Sequence, residues 1–239
     1  MNFIIDTHTH TLASGHAYNT IDEMTRQAAD AGFHYLAITD HAPKMPGSAH
    51  KLYFSNLKVV PRDKFGVHRL MGCEVNIMDS NGKLDLSEYV LKQMDIVIAS
   101  LHIPCIKPDS KRKNTQTILQ AMKNPYVNII GHPDDSRYPI DIEAVVKAAK
   151  ENHKLLELNN TSLNPAGPRE GALENDIRML TLCKEMGVCI TVGSDAHIAE
   201  DIGNFERAKN VLETVDFPES LVANTDIELL KSYLHSDRI

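Results

Sequence analysis

The feature that most constrains this chain is an alternation. Short apolar runs at 3–6, 35–39, 70–75, 96–100, 127–131, 155–159 and 188–193 are separated by segments whose apolar residues recur every three or four positions. Ile21/Met24/Ala28/Ala31, Ile142/Val145/Val146/Ala149 and Phe205/Ala208/Val211/Leu212 have the period of amphipathic helices, and the runs have the length of buried strands. Thr20, followed by Glu23 three residues later, forms a capping box at the start of the first helix. Two parallel strands cannot be joined by a tight turn, so strands alternating with helices build βαβ units around a parallel sheet. The expected fold is α/β, a distorted barrel of seven strand–helix units where a standard barrel has eight. No repeat, low-complexity tract or Pro/Gly-rich linker divides the sequence, so residues 1–239 are read as one domain.

The residues at the end of each run are more specific. The first ends in "DTHTH", with His8 and His10, and His16 lies further on. The second ends "AITDH" (Asp40, His41), the third "GCEVN" (Glu74), the fourth "ASLH" (His102), the fifth "IIGHP" (His132) and the seventh "TVGSDAH" (Asp195, His197). Only the sixth, ending "LELNN", is assigned no donor. These positions lie at the carboxyl ends of the strands, the face on which barrel enzymes build active sites. A single histidine there would mean little, because most are surface residues or satisfied core residues. Chance is a poor account of so many of the chain's 12 histidines on one rim. Side chains two apart on a strand point the same way, so His8 and His10 can reach one ion, and so can Asp195 and His197.

Nine donors suit two or three ions, at three or four protein ligands per open catalytic site. Imidazole nitrogen mixed with carboxylate oxygen favours zinc, iron or manganese over calcium or magnesium. Zinc ranks first. Such a cluster stays positive after two carboxylates are counted, so an anionic substrate is favoured. Two connections point the same way. Residues 42–67 carry Lys44, Lys51, Lys58, Arg62 and Lys64 against Asp63, and residues 103–114 carry Lys107, Lys111, Arg112 and Lys113 against Asp109. Arg62 and Arg169 are the candidates for holding phosphate; Asp40, and with less support Asp6, for orienting an imidazole from behind.

Composition excludes several alternatives. A net charge of −7 argues against nucleic acid as the partner, and no apolar run approaches the length of a membrane span. The four cysteines show no C-x-x-C spacing and the chain opens without a basic, then long apolar, leader. A reduced, cytoplasmic protein is therefore expected. A homo-oligomer is compatible with the sequence.

At these residues the chain resembles the PHP family (polymerase and histidinol phosphatase), and within it the YcdX-type phosphatases. The matching stretches run in order: "DTHTHT", "AITDHAPKMPG", "NLKVVPR", "GCEVNI", "SLHIP", "NTQ", "IIGHPDD", "ELNNTS", "VGSDAH" and "VDFP". The resemblance implies a TIM-like (βα)7 barrel with a trinuclear metal centre and a metal-dependent phosphoric monoester hydrolase. It implies that His8, His10, Glu74 and Asp195 hold one ion. Glu74, as a bridge, holds a second with His102 and His132, and His16, His41 and His197 hold the third. A metal-bridging hydroxide would then attack a small phosphomonoester, with Glu74, Asp195 and His197 as the catalytic set. Three rival readings stand beside this one, among them a non-catalytic metal-binding or regulatory protein, which the complete ligand set opposes. An amidohydrolase would want a lysine at the fourth strand, where this chain has His102. A phosphodiesterase or nuclease of the PHP type is chemically closer, and the acidic net charge opposes it.

Overall fold

Along each strand, alternate residues serve two different cores, and this explains the apolar runs. Ile5, Ala37, Leu70, Ile98, Ile129 and Leu155 form one cluster inside the ring of strands. Their neighbours Leu36, Ile38, Met71, Val97, Ala99, Ile130, Leu156 and Leu158 belong to a larger cluster under the helices. Strands covered on both faces read as continuous apolar runs rather than alternating ones.

The computed structural model describes residues 1–235. The strands are β1 (Ile5–Asp6), β2 (Tyr35–Ile38), β3 (Asp63–Lys64), β4 (Val67–Met71), β5 (Cys73–Asn76), β6 (Val97–Ser100), β7 (Ile129–Ile130), β8 (Leu155–Asn159) and β9 (Ile190–Gly193). The helices are α1 (Ile21–Asp30), α2 (Lys51–Asn56), α3 (Glu88–Leu91), α4 (Lys111–Met122), α5 (Ile142–Glu151), α6 (Ala172–Met186), α7 (Glu206–Thr214) and α8 (Ile227–Tyr233). The three helical patterns read from spacing are α1, α5 and α7, and the Thr20–Glu23 capping box is formed. None of the described helices is long and apolar enough to cross a membrane.

Two sheets share the strands, in the orders β1-β2-β4-β3 and β5-β6-β7-β8-β9. All pairings are parallel except β3 with β4. The third apolar run therefore divides at Gly72. There the Gly72 N–H bonds Ile38 O at 2.9 Å and the Cys73 N–H bonds Ile96 O at 3.2 Å, so the chain changes sheet within one residue. A Cβ on Gly72 would lie 2.2 Å from the Ile96 carbonyl oxygen, which is why glycine stands at this crossing.

The other seam lies between β1 and β9. Asp195 N–H bonds His8 O and His10 N–H bonds Ala196 O, each at 2.9 Å. Nearer the amino ends of these strands, Asn224 fills the gap as a side-chain substitute for a strand. Its Nδ2 donates to Ile5 O at 3.0 Å and Val192 O at 2.8 Å, and its Oδ1 accepts from Val192 N at 2.6 Å. Both seams carry donors of the candidate site: Glu74 lies just past Gly72, and His8, His10 and Asp195 line the second.

The basic connections are not plain loops. Residues 42–67 fold into α2 and β3, and 103–114 run into the first turn of α4. This changes where their charges lie.

Candidate metal centre

Glu74 is the hub. Its carboxylate is fully buried, and five imidazoles face it. Oε2 lies 2.5 Å from His41 Nδ1, 3.5 Å from His8 Nε2 and 3.7 Å from His10 Nε2. Oε1 lies 2.9 Å from His132 Nε2 and 3.2 Å from His102 Nε2. Asp195 supplies a second carboxylate, with Oδ1 3.1 Å from His10 Nε2 and 3.7 Å from His8 Nε2. Further out, His197 Nε2 and His16 Nε2 face each other at 3.1 Å. The rings of His10, His16, His41 and His197 stack around that point. All nine expected donors thus converge, although they come from opposite ends of the chain. Donor atoms of His8/His10/Glu74, of His41/Glu74/His102 and of His10/His41/His197 each lie within 4.8 Å of one another. His41 stands between two of these groups rather than belonging to one.

The far nitrogen of each ring fixes which nitrogen faces the hub. A neutral imidazole carries one N–H, and the other nitrogen offers a lone pair. His8 Nδ1 lies 2.6 Å from Glu157 Oε1, an acceptor-only carboxylate, so Nδ1 is the donor there. His102 Nδ1 meets Asn76 Oδ1 at 2.7 Å, while Asn76 Nδ2 donates to Asp85 and Ala42. His197 Nδ1 donates to the Asp195 carbonyl at 2.9 Å. In all three the lone pair on Nε2 is turned inward, and partners of this kind behind a ring are what orient metal-ligating histidines.

The inward atoms His8 Nε2, His10 Nε2, His41 Nδ1, His102 Nε2 and Glu74 Oε2 crowd together, yet none of them makes a well-aligned hydrogen bond. Burying that many lone pairs against one carboxylate is costly unless positive charge lies between them. The donor set fits divalent ions of the zinc, iron and manganese kind.

The electrostatics agree. Burial pushes Glu74 and Asp195 up, but the surrounding imidazoles, joined by Arg169 at Asp195, hold both well below the ordinary carboxylate range. Burial, with His41 and His197 nearby, keeps His10 far below the usual histidine range. His8 takes the opposite course: burial opposes its charge, yet Glu157, Asp195 and Glu74 together draw it well above, so an ion at Nε2 would take the place of a proton. Backbone strain gathers at the same place. His132 has φ +30° and Asp195 φ +58°, a region that non-glycine residues rarely occupy outside sites that over-determine them.

Beside the hub lies a cavity of about 320 Å³, lined by His16, His41, His102, Asp195 and His197 together with Arg137 and Arg169. Arg169 is held in place by Asp195 Oδ2 at 3.1 Å, Asn159 Oδ1 at 3.1 Å and Ser162 Oγ at 3.0 Å. Arg137 is clamped on Asp135, with Nη2 at 2.6 Å from Oδ2.

The expectation for Arg62 is corrected. Its Nε pairs with Asp95 Oδ2 at 2.7 Å, beside the amino end of β6 and away from the cluster, because the segment that carries it runs into the β3–β4 hairpin at the strands' starts. Lys64 likewise turns outward to Asp22. Among the described residues, the arginines that line the cavity are Arg137 and Arg169, neither of them in the two basic connections. Asp40 and Asp6 lie behind the site. Asp40 bonds the Ser14 hydroxyl at 2.7 Å, and Asp6 accepts from His8 N at 3.3 Å and Ser194 N at 3.1 Å. Glu157 is a site residue that the strand-end pattern does not reach. It holds the His8 ring and, through Oε2, the backbone N–H of His132 at 2.8 Å. Gly193 makes its room, since a Cβ there would lie 2.1 Å from Glu157 Oε1. A signal for it exists in the sequence: "LLELN" has one charge inside a strand buried throughout.

A family model for the PHP domain matches residues 6–164, and one described as PHP-associated matches residues 178–218. The chain belongs to the PHP family. The PHP domain match holds His8 through His132, whereas Asp195 and His197 fall in the PHP-associated segment, so both segments contribute to the centre. A probable phosphatase of Thermoanaerobacter sp. (strain X514) is 53% identical over 235 residues, 98% of this PHP chain and 95% of the relative. A probable phosphatase of Clostridium novyi (strain NT) is 48% identical over 236 residues, 99% and 96% of the two chains. Among solved structures, a histidinol phosphate phosphatase of Lactococcus lactis, complexed with zinc, L-histidinol and phosphate, has a TM-score of 0.61 at 18% identity, covering 90% of this chain and 94% of that one. A structure described as the putative histidinol phosphatase hisK of Listeria monocytogenes likewise has a TM-score of 0.61 at 18% identity, over 84% and 98%. These two likenesses establish the TIM-like PHP fold.

Proposed function

We propose that this PHP protein is a metal-dependent phosphatase that hydrolyses small phosphomonoesters at a centre of three divalent ions, zinc first among the candidates. The observation that carries the reading is the ring of inward lone pairs around Glu74, opening on a cavity that carries two arginines. The curated relatives, named as probable phosphatases, support the reaction class, and the zinc and phosphate in the Lactococcus structure support its chemistry.

Divalent ions held here supply Lewis acidity toward a phosphoryl oxygen and acidify water. His8, His10, Glu74 and Asp195 would hold one, Glu74, His102 and His132 a second, and His16, His41 and His197 the third. Glu74, with imidazoles on both oxygens, would serve both of the first two. Arg169 takes a phosphoryl oxygen with the N–H groups its partners leave free, which fixes the ester and offsets charge as the P–O bond breaks. Asp195 is a ligand rather than an acid, because its carboxyl is held well below the ordinary range. His197 lines the cavity, and with its Nδ1–H bonded to the Asp195 carbonyl and Nε2 turned inward it would serve as a ligand, so the proton for the leaving alkoxide would come from water. A cavity of about 320 Å³ has room for a small ester.

The test is elemental analysis of purified protein together with a phosphate-release screen over small phosphomonoesters. Bound zinc, iron or manganese with release of phosphate is expected, and Glu74→Gln should lose both metal and at least 100-fold in turnover. A Glu74→Gln protein with full metal and full activity would defeat the bridging role. Activity on amides alone would defeat the reaction class.

A further inference from the structure

The hydroxyl of Ser14 occupies an unusual position. It lies 3.0 Å from His10 Nδ1, accepts the backbone N–H of His41 at 3.0 Å and donates to Asp40 Oδ1 at 2.7 Å. A hydroxyl has one proton to give. Asp40 also collects the Thr11 N–H at 2.6 Å, the Thr11 hydroxyl at 2.8 Å and the Tyr53 hydroxyl at 2.7 Å, so its oxygens are surrounded by donors and act as acceptors. The Ser14 proton is therefore committed to Asp40. Toward His10 the hydroxyl can only accept.

On the reading of the cluster as a metal centre, we propose that Ser14 is the positioning residue that locks His10 with its proton on Nδ1 and its Nε2 lone pair toward Glu74 and Asp195, and that Asp40 sets the direction of this lock. The same oxygen anchors the backbone of His41, so one hydroxyl registers two donors from different strands. Ser14, Asp40, Thr11 and His10 are all buried, which keeps water from replacing the contact. Tyr53 comes from α2, so the long connection 42–67 braces the site from behind rather than lending it charge. Carboxylate partners of a ligating imidazole are a familiar arrangement. Here the carboxylate acts through a hydroxyl, and without it the ring would be free to carry its proton on Nε2, the nitrogen that must bind the ion.

Long-range ¹H–¹⁵N correlation spectra of the histidine rings in the full-length, metal-free protein read the tautomer directly. His10 is expected as the Nδ1–H form. In Ser14→Ala it should populate the Nε2–H form, and zinc affinity measured by chelator competition should fall about 10- to 100-fold. A role confined to packing would lower the melting temperature and leave the tautomer unchanged. Wild-type His10 found as Nε2–H overturns the proposal without recourse to any variant, and so does a Ser14→Ala protein with unchanged tautomer and zinc affinity. Wild-type protein that takes up no zinc, iron or manganese would instead bring down the metal reading on which this one rests.

Discussion

Glu157 marks the limit of reading residues one at a time. It lies inside β8 between Leu156 and Leu158, where a strand-end rule has no reason to look, yet it braces both His8 and the strained His132. Glu157→Ala leaves the His8 ring N–H and the His132 backbone N–H unpaired in a buried site. Zinc affinity is expected to fall about 10- to 100-fold, measured by chelator competition, and a change under twofold would contradict the bracing role. The error at Arg62 has the complementary cause. Counting charge in a connection does not say at which end of the strands that charge lies. Asp6 carries a pH prediction. Burial raises its carboxyl from 3.8 to about 6, against hydrogen bonds from Ser194, Gly203 and His8 that pull it down. Between those values the folded state keeps a proton that the unfolded state has lost. The contribution of Asp6 to stability is thus complete below pH 3.8 and disappears as pH rises to about 6, a loss of about 3 kcal/mol. A ¹³C titration of the Asp6 carboxyl should have its midpoint near pH 6, and an ordinary carboxylate midpoint would refute burial as the ruling influence.

At the scale of elements, periodicity carried far. The helices with clear apolar faces and the buried strands were legible because burial on both faces demands such runs. Joints were not. Gly72 looks like an ordinary residue within the third run, and its part in passing the chain from one sheet to the other depends on how close Ile96 comes. Asn224 is still less visible, since a polar residue near the end of a chain reads as surface. Its three bonds to Ile5 and Val192 instead hold the β1–β9 seam where no strand pairs. Asn224→Ala orphans those buried backbone groups. The expected loss is about 2–4 kcal/mol in urea unfolding, and a loss within experimental error would mean that water or a shifted backbone repairs the seam.

For the whole molecule, the convergence of nine side chains from residues 8 to 197 is a property of ring order. His8 and Asp195 become neighbours because the first and last strands meet. Sequence could bring the candidate donors together, since His, Asp and Glu after successive strands share one rim in any parallel barrel. It could not say that His41 stands between two groups or that Arg137 and Arg169 face the cavity, because those depend on loop paths. On the proposed reading, a centre that draws on both ends of the chain would also tie metal binding to global folding. Free zinc at 100 times its dissociation constant should add about 2.7 kcal/mol for a single site. That corresponds to a rise of roughly 5–10 °C in melting temperature; no rise with zinc, or no fall with a chelator, would contradict the coupling. The most direct measurement is anomalous diffraction at the zinc edge from zinc-loaded crystals. The account predicts peaks on both sides of Glu74, each about 2.0–2.2 Å from one of its oxygens and from the facing histidine nitrogens. Glu74 with no peak at either oxygen, in protein that has bound zinc elsewhere, would contradict it.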